Sequence, residues 1–320
     1  MNAIEVEELR KTFPGGVEAV AGLDLVVREG RIFGFLGPNG AGKSTTVRML
    51  TTLLRPTSGR ARIAGFDLWG QPHEIRRHIG VAFQEAGLDK LSTGRELLEV
   101  QAAMHHMRRA DARERAAALL ETVGLSDVGD RRVGTYSGGM QRRLDLASAL
   151  IARPRILFLD EPTTGLDPAS RRAIWDEVRR LNAEEGATVF LTTQYLEEAD
   201  QLVHWVAIID HGRIVDEGTP AALKGSIGSE VLRVAVPRRQ VEAAVSALAT
   251  LEGVRETRVE GPSLTVYMSN GPETVPQVLR LLERADVPLC SLSVSSPTLD
   301  EVFMRATGSR LEGAAAREAS

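Results

Sequence analysis

Nine consecutive residues, 37–45, carry the clearest chemical signal in the sequence. They match a phosphate-binding loop: a glycine, four variable residues, then Gly-Lys-Ser. The glycines let the backbone curl around a phosphate, and the helix that follows adds a partial positive charge there. We expect Lys43 to reach the β- and γ-phosphates and the Ser44 hydroxyl to ligate Mg²⁺. The predicted phosphate cradle is formed by Gly37, Pro38, Asn39, Gly40, Ala41, Gly42, Lys43, Ser44 and Thr45.

Two adjacent acids, Asp160 and Glu161, follow the apolar run 156–159. Asp160 could hold Mg²⁺ directly or through water, and Glu161 could orient and polarise an attacking water, since a bend at Pro162 lets the side chains diverge. Gln84 ends another predicted strand, and its amide oxygen could serve the metal or the water. A solvated strand end is the alternative for the two acids, and the residues alone leave both interpretations open.

A further group of candidates lies where predicted turns enter helices. Ser137, Gly138 and Gly139 precede a helix whose N-terminus would form a second anion-binding point. Asp167 lies in a turn before another predicted helix, and capping of that helix is its alternative role.

The aromatic residue Phe13 lies on a predicted turn, 11–16, upstream of the phosphate loop. It could stack against a nucleotide base, with Val20 beside it. A core aromatic residue is the alternative, and the sequence leaves both open.

These residues are positioned by strands that alternate with helices. Short strands and turns fill 4–36, and the later pattern predicts strands 32–36, 79–83, 156–161 and 188–193, and helical segments that start at 44 and cover 93–125, 144–152 and 170–184. This alternation predicts a mostly parallel α/β sheet with its ligand at the carboxyl ends of the strands.

The predicted pattern of strands and helices changes after residue 225. Residues 231–307 predict the order β-α-β-β-α-β, which is that of a small α+β, ferredoxin-like unit. Cys290 lies in its last predicted strand, where we expect a buried and inert thiol. The small and polar stretch 309–320 is predicted to be a flexible tail.

Composition narrows the class of protein. The 320 residues are 43% hydrophobic and 26% charged, as in ordinary soluble globular proteins, and the formal net charge of -4 gives no basic field for nucleic acid or an anionic membrane. Cys290, the only cysteine, excludes an internal disulfide and any cysteine-based zinc site.

Nothing in the sequence predicts insertion into a membrane. The first eight residues carry acid where a signal peptide needs base, and no run approaches the ~18 apolar residues of a spanning helix. We expect a cytoplasmic chain that is held at a membrane, if at all, by another chain.

In order and approximate spacing, these motifs resemble those of the ATP-binding cassette (ABC) proteins. The stretch 137–141 is similar to their signature motif, with Tyr136 in place of the commoner leucine. More narrowly, the segments 192–202 and 297–303 resemble the daunorubicin/doxorubicin-resistance type of exporter ATPase.

The resemblance implies a P-loop NTPase cassette over residues 1–225, built from a mixed sheet, a β subdomain and a helical subdomain at about 85–145. The small α+β domain would cover 226–308, followed by the tail.

The resemblance also implies ATP and Mg²⁺ as cofactors and a homodimer that sandwiches two ATP molecules. Ser137 and Gly139 would contact the γ-phosphate held by Lys43 of the partner subunit, and the Asp167 loop would run along the interface. Hydrolysis would drive export of a drug or secondary metabolite through integral membrane permease subunits. These would dock on the loop after Gln84 and the helical region up to about residue 145, on the cytoplasmic side of the cell membrane.

One residue departs from the common cassette pattern. Gln194 occupies the switch position after two threonines, where most cassettes carry histidine. Glutamine can donate an amide hydrogen bond to the γ-phosphate but carries no charge, which leaves a bond roughly half as strong as a charge-assisted one. We expect slow but real hydrolysis, with Gln194, Glu161 and Lys43 as the catalytic residues.

Two other classes of protein compete with the exporter subunit. A soluble cassette ATPase that acts on nucleic acid or ribosomes usually has two cassettes or long coiled-coil insertions. The sequence predicts neither feature. A nucleotide-binding regulator, in which the C-terminal domain senses a ligand, is the third possibility.

Overall fold

The structure is a computed structural model, and it describes residues 1–84, 87–228, 230–268 and 271–308. Contacts divide the chain into two units, of which the first ends at Glu217 and the second begins at Gly218. The sequence pattern predicts this division after residue 225. The eight-residue difference arises because a short helix, not predicted from the sequence, packs within the second unit.

The first unit contains two sheets. Its strands are β1 (Asn2–Thr12), β2 (Glu18–Arg28), β3 (Ile32–Leu36), β4 (Ser58–Ile63), β5 (Phe66–Asp67), β6 (Ile79–Ala82), β7 (Ile156–Asp160), β8 (Thr188–Thr193), β9 (Trp205–Asp210) and β10 (Arg213–Gly218). The antiparallel sheet has the order β2-β1-β4-β5, and the second sheet has the order β10-β9-β3-β8-β7-β6. Together they form the predicted mixed-sheet cassette.

The second sheet explains why the candidate residues gather at one edge. Strands β6, β7, β8, β3 and β9 pair in parallel, so their carboxyl ends meet at the same side. Every residue of β3, β7 and β8 is buried, as expected for parallel strands covered on both faces. The ring of Phe190 lies 5.4 Å, between centroids, from the rings of both Phe33 and Phe158 at the centre of this sheet.

Seven helices complete the described part of the first unit: α1 (Lys43–Leu50), α2 (Pro72–His78), α3 (Gly94–Met104), α4 (Arg109–Thr122), α5 (Gly138–Ala149), α6 (Pro168–Glu185) and α7 (Leu196–Leu202). The predicted helical segment 93–125 is two helices, since the chain turns between them at His106, whose φ is +59°. Helix α5 begins six residues before the predicted start, because Ser137 caps it by accepting a hydrogen bond from the Met140 amide (3.3 Å).

Helix α5 lies very close to β6. A Cβ on Gly80 would lie 2.1 Å from the carbonyl oxygen of Ala149, so only glycine permits this approach. The close packing brings the helix that carries the signature residues next to the strand that leads to Gln84.

The second unit has the predicted β-α-β-β-α-β order, enclosed by two further helices. Its elements are α8 (Pro220–Ile227), β11 (Glu230–Ala235), α9 (Val241–Leu248), β12 (Val254–Glu260), β13 (Ser263–Met268), α10 (Gly271–Arg284), β14 (Ser291–Ser295) and α11 (Leu299–Thr307). The sheet is antiparallel, with the order β12-β13-β11-β14. Leu232, Val266, Leu248 and Leu282 are among its core residues.

Helices α8 and α11 of this unit pack against each other. Arg305 of α11 donates to the Ser226 carbonyl (3.2 Å) and to its hydroxyl (2.7 Å) near the end of α8. Cys290, expected to be buried in the last strand, is exposed and lies immediately before β14, so that expectation was wrong. The predicted tail 309–320 lies outside the described residues.

Within the described ranges, no helix is both long and apolar enough to cross a membrane.

Candidate functional site

The phosphate loop joins the end of β3 to the start of α1. Gly42 has a φ of +107°, and a Cβ there would lie 2.4 Å from the Ala19 carbonyl oxygen, so this position requires glycine. The same Cβ would lie 3.5 Å from Val20 Cγ2, which places the buried Val20 side chain beside the loop.

Lys43, the first residue of α1, is buried against the loop. Its Nζ donates to the carbonyl oxygens of Gly37 (2.7 Å) and Pro38 (3.1 Å), and lies 3.6 Å from Glu161 Oε1. Burial lowers the pKa of Lys43, and the nearby Glu161 carboxylate opposes that shift. The ammonium is therefore held against the phosphate loop by two loop carbonyls and lies beside one acid.

Asp160 ends β7 within reach of two hydroxyl groups. Its Oδ1 accepts hydrogen bonds from Thr192 Oγ1 (2.6 Å) and from Ser44 Oγ (3.3 Å). The structure therefore brings together the two oxygen donors predicted to hold Mg²⁺, although they are 116 residues apart. Hydroxyl and carboxylate oxygens suit this ion.

Among the described residues, no group of three or more His, Cys, Asp or Glu side chains is arranged so that it could hold a metal ion. One carboxylate and one hydroxyl are enough protein ligands for Mg²⁺, because this ion usually takes its other ligands from water and from the phosphates of a bound nucleotide.

Glu161 turns away from Asp160, as the sequence predicted for the two adjacent acids. Its φ is +49°, in the left-handed region that a residue with a Cβ rarely occupies. Its amide donates to both the carbonyl (3.1 Å) and the hydroxyl (3.0 Å) of Thr192, which hold this turn. The carboxylate is buried beside Lys43 and accepts a hydrogen bond from Thr164 Oγ1 at Oε2 (3.3 Å).

The two candidate glutamines follow two parallel strands of the same sheet, which lie on either side of β7. Gln84 comes two residues after β6 and is exposed, and Gln194 follows β8 directly and is half-buried. Residues 85 and 86 of the predicted docking loop lie outside the described residues. The parallel pairing places both residues at the edge of the sheet that carries the acids and the phosphate loop.

The signature residues and Asp167 lie close to each other. Ser137 and Gly138 are exposed, and a Cβ on Gly139 would lie 2.8 Å from Ser170 Oγ. Asp167 caps α6 by accepting from the amides of Ala169 and Ser170 (both 3.0 Å).

A side-chain hydrogen bond from Ser170 is the main cause of a lowered pKa for Asp167. The capping role of Asp167 is therefore present, and its exposure leaves the turn accessible to a partner.

Phe13 is half-buried and not part of the described core. The Nζ of Lys11 lies 5.2 Å from the centroid of its ring, within cation–π range. This position fits the base-stacking interpretation better than the core interpretation.

Three residues of the site were not predicted from the sequence to have a role: Thr192, Arg142 and Glu198. Glu198 is fully buried, and its Oε1 accepts from Trp175 Nε1 (2.7 Å) and Thr163 Oγ1 (3.2 Å). Burial raises the pKa of Glu198, and these hydrogen bonds oppose the shift. Its helix face is shared with the apolar Leu202 four residues on, a signal that would have separated it from a solvated acid.

Two family models cover separate parts of the chain. A model described as ABC transporter matches residues 20–164. A second, described as the C-terminal domain of DrrA1-3-like ATP-binding proteins, matches residues 218–307.

Named relatives cover nearly the whole length. The daunorubicin/doxorubicin resistance ATP-binding protein DrrA of Streptomyces peucetius is 47% identical over 319 residues, which are 99% of this chain and 96% of that protein. The Nod factor export ATP-binding protein I of Paraburkholderia xenovorans (strain LB400) is 39% identical over 311 residues, 97% of this chain and 98% of that protein.

A solved structure shares the cassette fold. It is a dimeric ATP-binding cassette in a post-hydrolysis state bound to ADP and Pi, with a TM-score of 0.63 and 28% identity over 68% of this chain and 98% of that one. These likenesses support the transporter interpretation and not the nucleic-acid alternative. The chain thus belongs to the family of ATP-binding, ATP-hydrolysing subunits of ABC transporters, in the branch with a DrrA1-3-like C-terminal domain.

Proposed function

We propose that this chain is the motor subunit of an exporter that removes a drug or secondary metabolite through separate membrane subunits. Its relatives are named for daunorubicin and doxorubicin resistance and for Nod factor export, and the second name states export directly. The ATP-hydrolysing part of the proposal rests on one observation above all. Asp160 and Glu161 diverge, one toward the Ser44 hydroxyl and the other toward the Lys43 ammonium.

That divergence gives each acid a separate role in phosphoryl transfer. Ser44 and Asp160 would hold Mg²⁺, with Gln84 completing the set, and the ion would neutralise charge on the phosphates. Glu161 would accept a hydrogen bond from the attacking water and polarise it. Lys43 would contact the β- and γ-phosphates, together with the amides of the loop residues 37–45.

Two further side chains complete the nucleotide site. Phe13 would stack on the base, beside Val20 at the loop. Gln194 would donate a hydrogen bond from its side-chain amide to the γ-phosphate. This bond would link the γ-phosphate to the end of β8. An uncharged donor at this position supports the expectation of slow turnover.

The second half of each site would come from a second copy of the chain. Ser137, Gly138 and Gly139 lie at the exposed N-terminal end of α5, where the helix dipole favours an anion. We place the γ-phosphate held by Lys43 of the partner subunit there, with the Asp167 turn along the interface. The dimeric relative bound to ADP and Pi supports this arrangement.

The membrane subunits would dock on the helical region that follows Gln84. Three large apolar side chains are exposed there: Leu91 (76%), Val100 (60%) and Met104 (71%). Val100 and Met104 lie one turn apart on α3, so they form one exposed face. Exposed apolar side chains grouped in this way are typical of an interaction surface.

The test is co-purification from native membranes through a tag on the full chain, with Met104→Glu compared with Met104→Leu. We expect the parental chain and the leucine variant to recover an integral membrane protein in stoichiometric amount. The glutamate variant should lose it and still bind ATP. Recovery of the tagged chain with ribosomes or nucleic acid, and with no membrane protein, would overturn the proposal.

A further inference from the structure

The buried guanidinium of Arg142 lies at the centre of the site, yet none of the roles above uses it. Arg142 is one turn into α5 and is 8% exposed. Its nitrogen atoms donate to three backbone carbonyls and one carboxylate. The acceptors are Phe83 O, Asp160 O (3.0 Å), Pro162 O (2.8 Å) and Asp145 Oδ2 (3.1 Å).

The three carbonyls belong to the segments that carry the candidate catalytic groups. Phe83 directly precedes Gln84, at the end of β6. Asp160 and Pro162 flank Glu161 on either side, so two bonds from one guanidinium bracket the residue with a φ of +49°. A strained backbone persists only where its surroundings fix it, and here Arg142 supplies two of those restraints.

The charge on Arg142 needs an explanation beyond stability. An arginine stays protonated in a protein, and burying an ion pair is a weak source of stability because desolvation opposes the attraction. Asp145, one turn further along α5, is also buried and supplies the opposing charge. The arginine of this buried pair donates to three backbone carbonyls at the ends of two strands. Holding the backbone of those strand ends in place explains the pair better than stability does.

We propose that Arg142 is a positioning residue, which fixes the backbone at the strand ends 83–84 and 160–162 from helix α5. Asp145 orients the guanidinium and balances its charge. The N-terminal end of the same helix carries Ser137, the residue placed against the partner subunit's nucleotide. Helix α5 therefore connects two sets of groups. Arg142 contacts the strand ends at the chain's own nucleotide, and Ser137 faces the nucleotide of the partner subunit.

The test compares Arg142→Gln with Arg143→Gln in the full chain. Arg143 is the matched control, because it is the next residue of α5 and also donates to backbone carbonyls, those of Val123 (2.7 Å) and Gly124 (3.3 Å), away from the acids. We expect Arg142→Gln to lower kcat for Mg²⁺-ATP roughly tenfold to a hundredfold with little change in KM, as for misplaced catalytic groups. Arg143→Gln should leave kcat near the parental value.

Two further variants separate positioning from folding. Arg142→Lys, which keeps the charge and three donors, should recover part of the lost kcat. The double variant Arg142→Gln with Asp145→Asn leaves no unpaired buried charge, so it should fold and still show the low kcat. Parental kcat in a folded Arg142→Gln chain, or an equal loss in both single variants, would overturn the inference.

The inference rests on the proposed catalytic roles, so a second readout must not depend on turnover. Amide hydrogen exchange on the full chain should be roughly tenfold or more faster at residues 84, 161, 163 and 164 in Arg142→Gln than in Arg143→Gln, if lost restraints loosen these segments. Equal exchange in the two variants would overturn the inference even if neither hydrolyses ATP. Absent hydrolysis in the parental chain, with the exchange difference present, would instead count against the catalytic roles alone.

Discussion

Glu161 combines a strained backbone with a buried carboxylate beside a lysine. Replacing it by glutamine keeps the shape and the contact with Thr164 but removes the negative charge that would polarise water. We expect Glu161→Gln to bind ATP and to lose roughly 10²–10⁴-fold in kcat, the usual contribution of a general base. Phosphate release under saturating ATP measures this change.

Thr164→Val is the control for that substitution, since it removes only the hydrogen bond to Glu161 Oε2. Its kcat should fall far less. Turnover of Glu161→Gln at the parental rate would exclude Glu161 from the role of water-orienting group.

Asp145 gives the stability of the protein a pH dependence with a definite sign. Burial raises the pKa of Asp145 to about 6, and the charge of Arg142 opposes the shift. Between its unfolded pKa and about 6, the folded chain holds a proton that the unfolded chain has lost. The contribution of Asp145 to stability is therefore present at low pH and is lost as the pH rises through 6.

The Asp145→Asn chain has no titrating group at this position. The unfolding free energy of the variant should therefore increase relative to that of the parental chain as the pH rises. Between pH 5 and pH 8 the gain should be about 1.4 kcal/mol, the equivalent of one pKa unit. Denaturant unfolding at the two pH values measures it, with Asp176→Asn at an exposed site of α6 as the control. If the difference in unfolding free energy between the parental chain and Asp145→Asn were the same at pH 5 and pH 8, Asp145 would not have the raised pKa assigned to it.

At the scale of elements, the approach of α5 to β6 depends on Gly80. A methyl group at this position would meet the Ala149 carbonyl, which belongs to a helix backbone and cannot move away alone. We expect Gly80→Ala to lower the unfolding free energy by roughly 1–3 kcal/mol, the range for overpacked sites. The change is read from denaturant midpoints.

Gly225 in α8 is the matched control, because no heavy atom lies within 4 Å of the Cβ that alanine would add. Gly225→Ala should stabilise the chain by roughly 0.5–1 kcal/mol, since glycine is unfavourable inside a helix. Equal stability of the Gly80→Ala and parental chains would show that α5 can shift without penalty.

Elements with a strong local pattern were predictable from the sequence. The apolar runs that became β3, β7 and β8 have the length and composition of buried parallel strands, and the glycine pattern fixed the loop between β3 and α1. The start of α5 was missed because Gly138 and Gly139 are poor helix formers, and a serine cap overrode that preference.

Contacts between distant segments were not predictable from the sequence. Thr192 and Asp160 are 32 residues apart, and Arg142 and Phe83 are 59 apart, so no local pattern joins them. The pairing of β6, β7 and β8 brings these residues together, and strand order is a property of the folded sheet.

At the scale of the whole molecule, turnover should depend on two copies of the chain. Ser137 allows a test that leaves the helix intact, because aspartate and asparagine cap a helix about as well as serine. In the Glu161→Gln background, ATP should convert the Ser137→Asn chain from monomer to dimer. Ser137→Asp should stay monomeric, since its carboxylate would repel the γ-phosphate of the partner. Sedimentation equilibrium with and without ATP distinguishes the two variants.

Equal dimer formation by Ser137→Asp and Ser137→Asn would place the γ-phosphate away from α5.

Helices α8 and α11 open and close the second unit, and the hydrogen bonds of Arg305 to Ser226 join them. The unit therefore has a sheet and a core of its own and packs its first helix against its last, as expected of a domain that could fold alone. Such a module is portable: evolution could add it to a cassette, or exchange it between cassettes, with a junction near residue 218. The match of residues 218–307 to a domain model of its own is what a transferable module would leave behind.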